Sequence, residues 1–311
     1  MDILLALVML VAGFVALVKG ADCFVDGTSS IAARLGIPQL VIGLTIVAMG
    51  TSAPEAAVSI TASFAGSADI TIGNVLGSNI INILVILGLA SLFTAIRVGK
   101  STIRVEIPFM IGVSVVILLL GLDGMISRLD GVILWALFLV YLGYLFWMAK
   151  KGNGEDVEEI NADRAIWKSA LLAVIGLALI VLGSDIAVEG ASRLARMMGL
   201  SERLIGLTIV ALGTSLPELC TSVAAARRGN ADIAIGNIVG SNVFNILFVV
   251  GTSSLINPIP YAAAFTTDAL VAIAAAVLLL ILPLRKKKLT RAGGILMLAC
   301  YAAYFFIFLY R

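Results

Sequence analysis

The chain repeats itself. Residues 43–84, GLTIVAMGTSAPEAAVSITASFAGSADITIGNVLGSNIINIL, return as residues 206–247, GLTIVALGTSLPELCTSVAAARRGNADIAIGNIVGSNVFNIL. The offset is 163 throughout, without a gap, and 26 of the 42 positions are identical. The likeness reaches upstream, where Gly20, Asp22, Val25, Gly27 and Ser29 match Gly183, Asp185, Val188, Gly190 and Ser192. A duplication on this scale means that the fold is two copies of one unit packed together.

The unit is built for lipid. Of the 311 residues, 61% are hydrophobic and only 13% charged, too few charges to cover a soluble domain of this length. Bilayer spans need roughly 20 mostly apolar residues. Ten segments qualify: 3–19, 40–64, 70–94, 103–121, 126–148, 166–186, 203–226, 233–256, 266–284 and 291–310. The expected fold is therefore an all-α membrane protein of ten helices. Residues 1–149 form an N-terminal five-helix unit, 150–165 a solvated cytoplasmic linker with an acidic run from Glu155 to Glu159, and 166–311 a second five-helix unit. The first segment carries Asp2 and no basic cluster ahead of it, so it reads as a span rather than a cleaved signal.

Five is odd, so the second unit must enter the membrane from the opposite side. The basic residues agree. With the N-terminus outside, 16 of the 21 Lys and Arg fall in cytoplasmic loops, among them Arg34, Arg97, Lys100, Arg227, Arg228 and the run Arg285–Lys288. The other five, Arg128, Arg193, Arg196, Arg203 and Arg311, fall outside. This is the positive-inside bias, and it places both termini outside an inner membrane. The Arg285–Lys288 cluster reads as a topology anchor, with specific binding of anionic lipid headgroups as the alternative. Inverted repeats are an architecture of secondary transporters, with the site at the repeat interface.

The matched segments hold the carboxylates expected to sit deepest, Glu55 and Glu218. A charge at mid-bilayer costs about 2.5–3.5 kcal/mol on insertion scales. No Lys or Arg lies at comparable depth, so the natural partner is a bound cation. Each glutamate ends a G-T-S-x-P-E motif, 50–55 and 213–218. Pro54 and Pro217 cannot donate to the carbonyls of Gly50 and Gly213, which leaves carbonyls around Ala48–Thr51 and Ala211–Thr214 short of partners. Helical spacing aligns Thr45, Ala48, Ser52, Glu55 and Ser59, and equally Thr208, Ala211, Ser215, Glu218 and Ser222. In the next segments Asn74, Ser78 and Asn82 form a stripe repeated by Asn237, Ser241 and Asn245, with Asn74 and Asn237 as interhelical hydrogen-bond donors. Asp69 and Asp232 are expected as helix N-caps. Asp22, Asp26, Asp185 and Glu189 are expected at solvated interface positions.

All of these are hard oxygen ligands, suited to calcium, sodium or magnesium. The chain has no histidine, which excludes an H-E-x-x-H protease, a histidine relay and a Ser-His-Asp hydrolase. Cys23, Cys220 and Cys300 have no CxxC spacing, so neither a zinc site nor a disulfide framework is indicated. A net charge of +2 says nothing about nucleic acid, and no nucleic-acid partner is expected.

Paired G-T-S-x-P-E and G-N-x-x-G-S-N motifs in two inverted units resemble the cation/calcium antiporter superfamily, in particular its microbial sodium/calcium exchangers. The resemblance covers essentially the whole chain. It implies a cage of Glu55 and Glu218 with Thr51, Ser52, Thr214, Ser215, Ser78, Asn82, Ser241, Asn245 and the carbonyls of Ala48 and Ala211. It also implies that the first and sixth spans slide across this core to alternate access. Potassium-dependent relatives carry an acidic residue where Asn245 stands, and here both copies carry the amide, which argues against potassium co-transport. With both carboxylates ionised the cage holds about two negative charges, which one calcium balances. Exchange of about three sodium ions for it, the family's usual exchange, is then electrogenic. The resemblance thus implies a sodium-driven calcium exporter and no enzyme. Its partners are sodium, calcium and membrane lipid; it needs no cofactor and works as a monomer. A proton/calcium antiporter and a calcium-permeable channel use the same oxygens and stand as alternatives.

Overall fold

The computed structural model describes residues 2–151, 165–200 and 211–309, so most of the expected linker and residues 201–210 lie outside it. Its helices are α1 (Asp2–Leu35), α2 (Gln39–Thr51), α3 (Ala53–Phe64) and α4 (Asp69–Ile81, running on through Asn82–Leu87 to Phe93). Then come α5 (Thr102–Asp123), α6 (Arg128–Lys151), α7 (Ile166–Met197), α8 (Ala211–Thr214) and α9 (Leu216–Arg227). The chain ends with α10 (Ala231–Phe244, running on through Asn245–Val250 to Ile256), α11 (Ala263–Ile281) and α12 (Arg291–Leu309). Among the described residues, seven helices are long and apolar enough to cross a membrane, and the bent pair α2–α3 makes an eighth. The chain is an all-helical, multi-pass membrane protein.

The elements recur at the sequence offset. The π-helical turns Asn82–Leu87 and Asn245–Val250 lie 163 residues apart, as do α3 and α9. Four two-residue strands repeat the pattern: β1 (Ile96–Arg97), β2 (Met125–Ile126), β3 (Ile259–Pro260) and β4 (Lys288–Leu289). β1 pairs antiparallel with β4, and β2 with β3. Each half therefore closes its ribbons only with the other half. Adding 163 to β1 and β2 gives β3 and β4, so each ribbon is the image of the other.

Two expected spans are much longer than hydropathy suggested. α1 continues past residue 19 to Leu35, and α7 continues past residue 186 to Met197. At 1.5 Å per residue each runs about 50 Å, well beyond a hydrocarbon core of about 30 Å. Asp22, Asp26, Asp185 and Glu189 thus sit within continuous helices. Asp22 and Asp26 both pair with Arg228, the former at 3.0 Å, and Glu189 pairs with Arg193 one turn on at 2.7 Å. Hydropathy missed the extensions because these charges dilute it, while Asp22, Asp26 and Glu189 each find an arginine.

α1 and α7 pack antiparallel along a ladder of glycines spaced by seven. Gly13, Gly20 and Gly27 meet α7, and Gly176, Gly183 and Gly190 meet α1. A Cβ on Gly176 would lie 2.4 Å from the backbone nitrogen of Phe24, and one on Gly27 would lie 2.6 Å from that of Ala173. The backbones touch, and no side chain fits between them. Around α4 and α10 the packing is different. α10 is sheathed on all sides, with Ile233, Ile235, Ile238, Val239 and Val243 fully buried, while α1 and α6 expose apolar side chains outward. The repeat-related helices α4 and α10 form the core, and the apolar exposed faces are what lipid would cover.

Candidate functional site

The proline motif starts a helix rather than bending one. α2 ends at Thr51, Ser52 leaves helical geometry at φ −84 and ψ 7, and α3 restarts at Ala53 with Pro54 in its first turn. The two segments meet at 50°. Ser215 does the same at φ −92 and ψ 2, with Pro217 in the first turn of α9. Proline is well suited there, because a first-turn N–H has no intrahelical partner to lose. Glu55 and Glu218 fall in those first turns, where the helix dipole favours a negative charge.

The break modifies one expectation. The carbonyls freed by the prolines are partly engaged. Gly213 O accepts Ser184 Oγ at 2.8 Å, whereas the repeat-related position of Ser184 is Ala21. Ala48 O accepts the Ser52 N–H at 3.0 Å and Ser241 Oγ at 3.4 Å. Ala211 opens α8, and Thr208 of the expected face lies outside the described residues. Thr45 points its hydroxyl to its own backbone, at 2.6 Å from Val41 O, and so leaves the expected ligand face.

Local rules for S-x-x-E predict that Ser52 and Ser215 cap their own helices. Neither does. Ser52 Oγ donates to Glu218 Oε1 of the other half at 2.7 Å, and Ser215 Oγ approaches Glu55 Oε1 at 3.5 Å. Ser78 Oγ stands 3.5 Å from the same Glu55 oxygen and 3.4 Å from Ser215 Oγ. Each glutamate is therefore held by the serine of the opposite break. Both glutamates are 0% exposed, and no Lys or Arg pairs with either among the described residues.

The remaining oxygens are the informative ones. Among the described residues, Glu55 Oε2, Glu218 Oε2, Asn82 Oδ1 and Asn245 Oδ1 are all buried without a hydrogen-bond partner. They are two repeat-related pairs. A buried acceptor left unpaired costs about 1–3 kcal/mol, more when charged. Four such oxygens, all acceptors, on the residue types expected for a cation cage are explained by a ligand that brings positive charge and no proton acceptor.

Asn82 and Asn245 are aimed by residues that the stripe reading passed over. Asn82 Nδ2 donates to Asn242 Oδ1 at 3.0 Å, and Asn245 Nδ2 to Asn79 Oδ1 at 3.2 Å. Asn79 and Asn242 tie the halves together directly, each donating to the other's backbone carbonyl at 3.1 and 3.2 Å. With their Nδ2 groups so occupied, Asn82 and Asn245 turn their oxygens the other way. The second asparagine of each G-N-x-x-G-S-N motif was the signal. Asn82 and Asn245 also open the π-helical turns, a wide geometry often found at functional sites. Asn242→Ala should destabilise the protein by roughly 1–3 kcal/mol, because it strands the Asn82 amide. A thermal melt against wild type measures this.

The expected structural asparagines behave as such. Asn74 Nδ2 donates to Ser59 Oγ at 3.0 Å, and Asn237 Nδ2 to Ser222 Oγ at 2.9 Å, fastening each broken helix to its neighbour. Thr51 Oγ1 donates to Asn237 Oδ1 at 3.0 Å. Thr214, whose threonine partner in the other copy makes that bond, is itself engaged. Asp69 and Asp232 are not caps: the N-cap positions belong to Ala68 and Asn230, and the aspartates lie in first turns. Nor are Glu55 and Glu218 the only buried carboxylates. Glu106 in α5 is 1% exposed, but Ser101 Oγ at 2.8 Å and the Tyr144 hydroxyl satisfy it. It lies in the first turns of α5.

The comparisons with known proteins follow the same lines. The family model described as sodium/calcium exchanger protein matches twice, over residues 5–147 and 168–310, once in each half. A putative antiporter, CaxA, of Alkalimonas amylolytica is 42% identical over 279 residues, covering 88% of each chain. The sodium/calcium exchanger MaX1 of Methanosarcina acetivorans is 33% identical over 308 residues, covering 86% of this chain and 88% of that one. Among solved structures, the sodium-calcium exchanger NCX_Mj soaked with sodium and no calcium superposes with a TM-score of 0.84 at 35% identity, covering 97% of this chain and 98% of its own. The duplicated sequence and these matches agree: the chain belongs to the sodium/calcium exchanger family.

Proposed function

We propose that this protein exchanges sodium for calcium across the membrane by alternating access, with Glu55 and Glu218 as the central ligands. The observation that carries the reading is the set of four buried, unpartnered oxygens on Glu55, Glu218, Asn82 and Asn245. Ser52, Ser215, Ser78 and Ser241 crowd the same carboxylates and the Ala48 carbonyl, and complete the proposed cage with Thr51, Thr214 and Ala211. A cage of this kind offers calcium its oxygens and about two negative charges, and offers several smaller sodium sites built on one carboxylate or one amide each.

The rest of the proposal follows from the repeat. Two units of five spans of opposite orientation place the cage near the midplane, between the halves. The basic-residue bias puts both termini outside, in an inner membrane, and calcium leaves the cell as sodium enters. One calcium against about three sodium ions moves net charge, so the exchange is electrogenic and runs in a monomer without a resident cofactor.

Calcium uptake into proteoliposomes loaded with sodium and diluted into choline or potassium buffer, with and without a proton ionophore, tests this. The expected uptake needs internal sodium, survives the ionophore and is indifferent to external potassium. Uptake driven by a pH gradient in the absence of sodium would replace sodium with protons as the coupling ion. Uptake without any countergradient would make the protein a channel.

A further inference from the structure

The two ribbons that join the halves are images of each other in backbone and opposites in charge. At the β2–β3 end the turn is Asp123-Gly124-Met125, and its neighbours across the ribbon are Pro260 and Ala263. At the β1–β4 end the same positions are Lys286-Lys287-Lys288, opposite Arg97 and Lys100. The central residue does the same backbone work in both. Gly124 O accepts the Tyr261 N–H at 2.8 Å, and Lys287 O accepts the Val98 N–H at 3.0 Å. Both are left-handed, Gly124 at φ 90 and Lys287 at φ 49.

Glycine takes that conformation freely, whereas an L side chain pays a steric penalty. The β2–β3 ribbon shows that the turn closes with glycine. The lysine at 287 is therefore not there for the turn. Lys287 is the one non-glycine residue with positive φ among the described residues, and it stands in a cluster of like charge. Strain retained at one position is a pointer to a local role.

The five side chains of Arg97, Lys100, Lys286, Lys287 and Lys288 line a cavity of about 320 Å³, closed on its inner side by Gln39 and by Asn230 to Asp232. Asp232 offsets one of the five charges. Two of the inner residues hold α1: Gln39 Nε2 donates to Ser29 O at 3.2 Å, and Asn230 Nδ2 to Ser29 Oγ at 2.9 Å. Five cations drawn by tertiary structure from two distant loops onto one concave surface make a receptor for a compact polyvalent anion. It lies on the face that the Lys and Arg excess assigns to the cytoplasm, with Lys286–Lys288 a few residues beyond the end of α11, where a span of that length would meet phospholipid headgroups.

We infer that this pocket is a binding site for a phosphate-bearing anion, the chemistry shared by an anionic phospholipid headgroup and a soluble polyphosphate. It is distinct from the ion cage and does not depend on the transport reading. The strained Lys287 and the two ends of the β1–β4 ribbon converge their charges on the phosphate, and the hydrogen bonds from Gln39 and Asn230 connect the occupied pocket to α1.

The full-length protein, purified in neutral detergent, is offered equal amounts of phosphatidylglycerol and phosphatidylcholine, and retained lipid is measured by native mass spectrometry. Phosphatidylglycerol is expected to be retained by about tenfold over phosphatidylcholine. R97Q/K286Q/K288Q should lose that preference, while K150Q/K151Q/K168Q, which removes as many cytoplasmic charges elsewhere, should keep it. Lys287→Gly relieves the backbone and removes one ligand, so it should weaken the preference with no fall in thermal midpoint, which separates binding from folding. In a second arm, inorganic pyrophosphate is added at graded concentration. Displacement of the lipid, or a midpoint rise in wild type that R97Q/K286Q/K288Q lacks, assigns the site to a soluble phosphate instead of a lipid. Equal loss in both triple variants would mean general surface attraction and overturn the proposal. So would a wild type indifferent both to phosphatidylglycerol and to pyrophosphate.

Discussion

Glu55→Gln and Glu218→Gln each lose sodium-dependent calcium uptake by at least about a hundredfold, on the order of 3 kcal/mol of lost ion binding. The thermal midpoint of each variant without calcium stays level or rises. The physical argument has two parts. With the ion bound, the neutral amide removes one of two charges that oppose the calcium, and little water is at hand to screen the loss, since both side chains are 0% exposed. Without the ion, each carboxylate is a buried charge that no Lys or Arg offsets among the described residues, so neutralising it relieves desolvation. In Glu218→Gln the glutamine Oε1 still accepts from Ser52 Oγ, which stands 2.7 Å from Glu218 Oε1, so the geometry of that break is kept. Proteoliposome uptake and a melt with and without calcium measure the two halves of the claim. Wild-type uptake in either variant would remove that residue from the cage, and a lowered midpoint in the absence of calcium would show that the charge is structural.

A single methyl group on the α1–α7 ladder is expected to be nearly as damaging, by a different route. In Gly176→Ala the new Cβ would sit 2.4 Å from Phe24 N, 2.7 Å from Gly20 O and 2.8 Å from Phe24 Cα. All three are backbone atoms, so nothing can rotate away, and the helices must separate along their length. Overpacking of this kind costs about 1–3 kcal/mol. Because α1 also carries Ser29, which both Gln39 and Asn230 hold, the displacement reaches the ends of the core helices. Gly143→Ala on α6 is the internal control, since nothing lies within 4 Å of its added Cβ. There the same substitution should stabilise by roughly 0.5–1 kcal/mol through helix propensity. Opposite shifts of the thermal midpoint are the expected result. Equal shifts would mean that the α1–α7 contact is looser than its backbone distances indicate.

Much of the site was legible because its chemistry is local to the chain. The duplication, the buried carboxylates and the proline beside each are facts of residue identity and spacing, and a carboxylate in an apolar run demands a partner whatever the fold. The same local reasoning failed where two segments must meet. Helical spacing put Ser52 and Ser215 on the same face as their own glutamates but could not say which carboxylate each would hold: each hydroxyl goes to the opposite half, because the two breaks face each other. Asn79 and Asn242 were passed over for their neighbours on the stripe, although they set the direction in which Asn82 and Asn245 point. α1 and α7 outran their hydropathy because Asp22, Asp26 and Glu189 are paired with arginines, and hydropathy counts a paired charge as if it were alone.

By itself the sequence determined the class of the protein, its two copies, its membrane character and the oxygen chemistry of its centre. Those properties depend on composition and on spacing along one chain. Only the tertiary structure decided which serine holds which glutamate, which four oxygens remain unpaired, that six glycines bring two backbones into contact, and that Arg97 and Lys288 share one pocket. Each of these is a relation between residues far apart in sequence, and it comes into being only when the faces of separate helices are pressed together and every buried donor must find an acceptor.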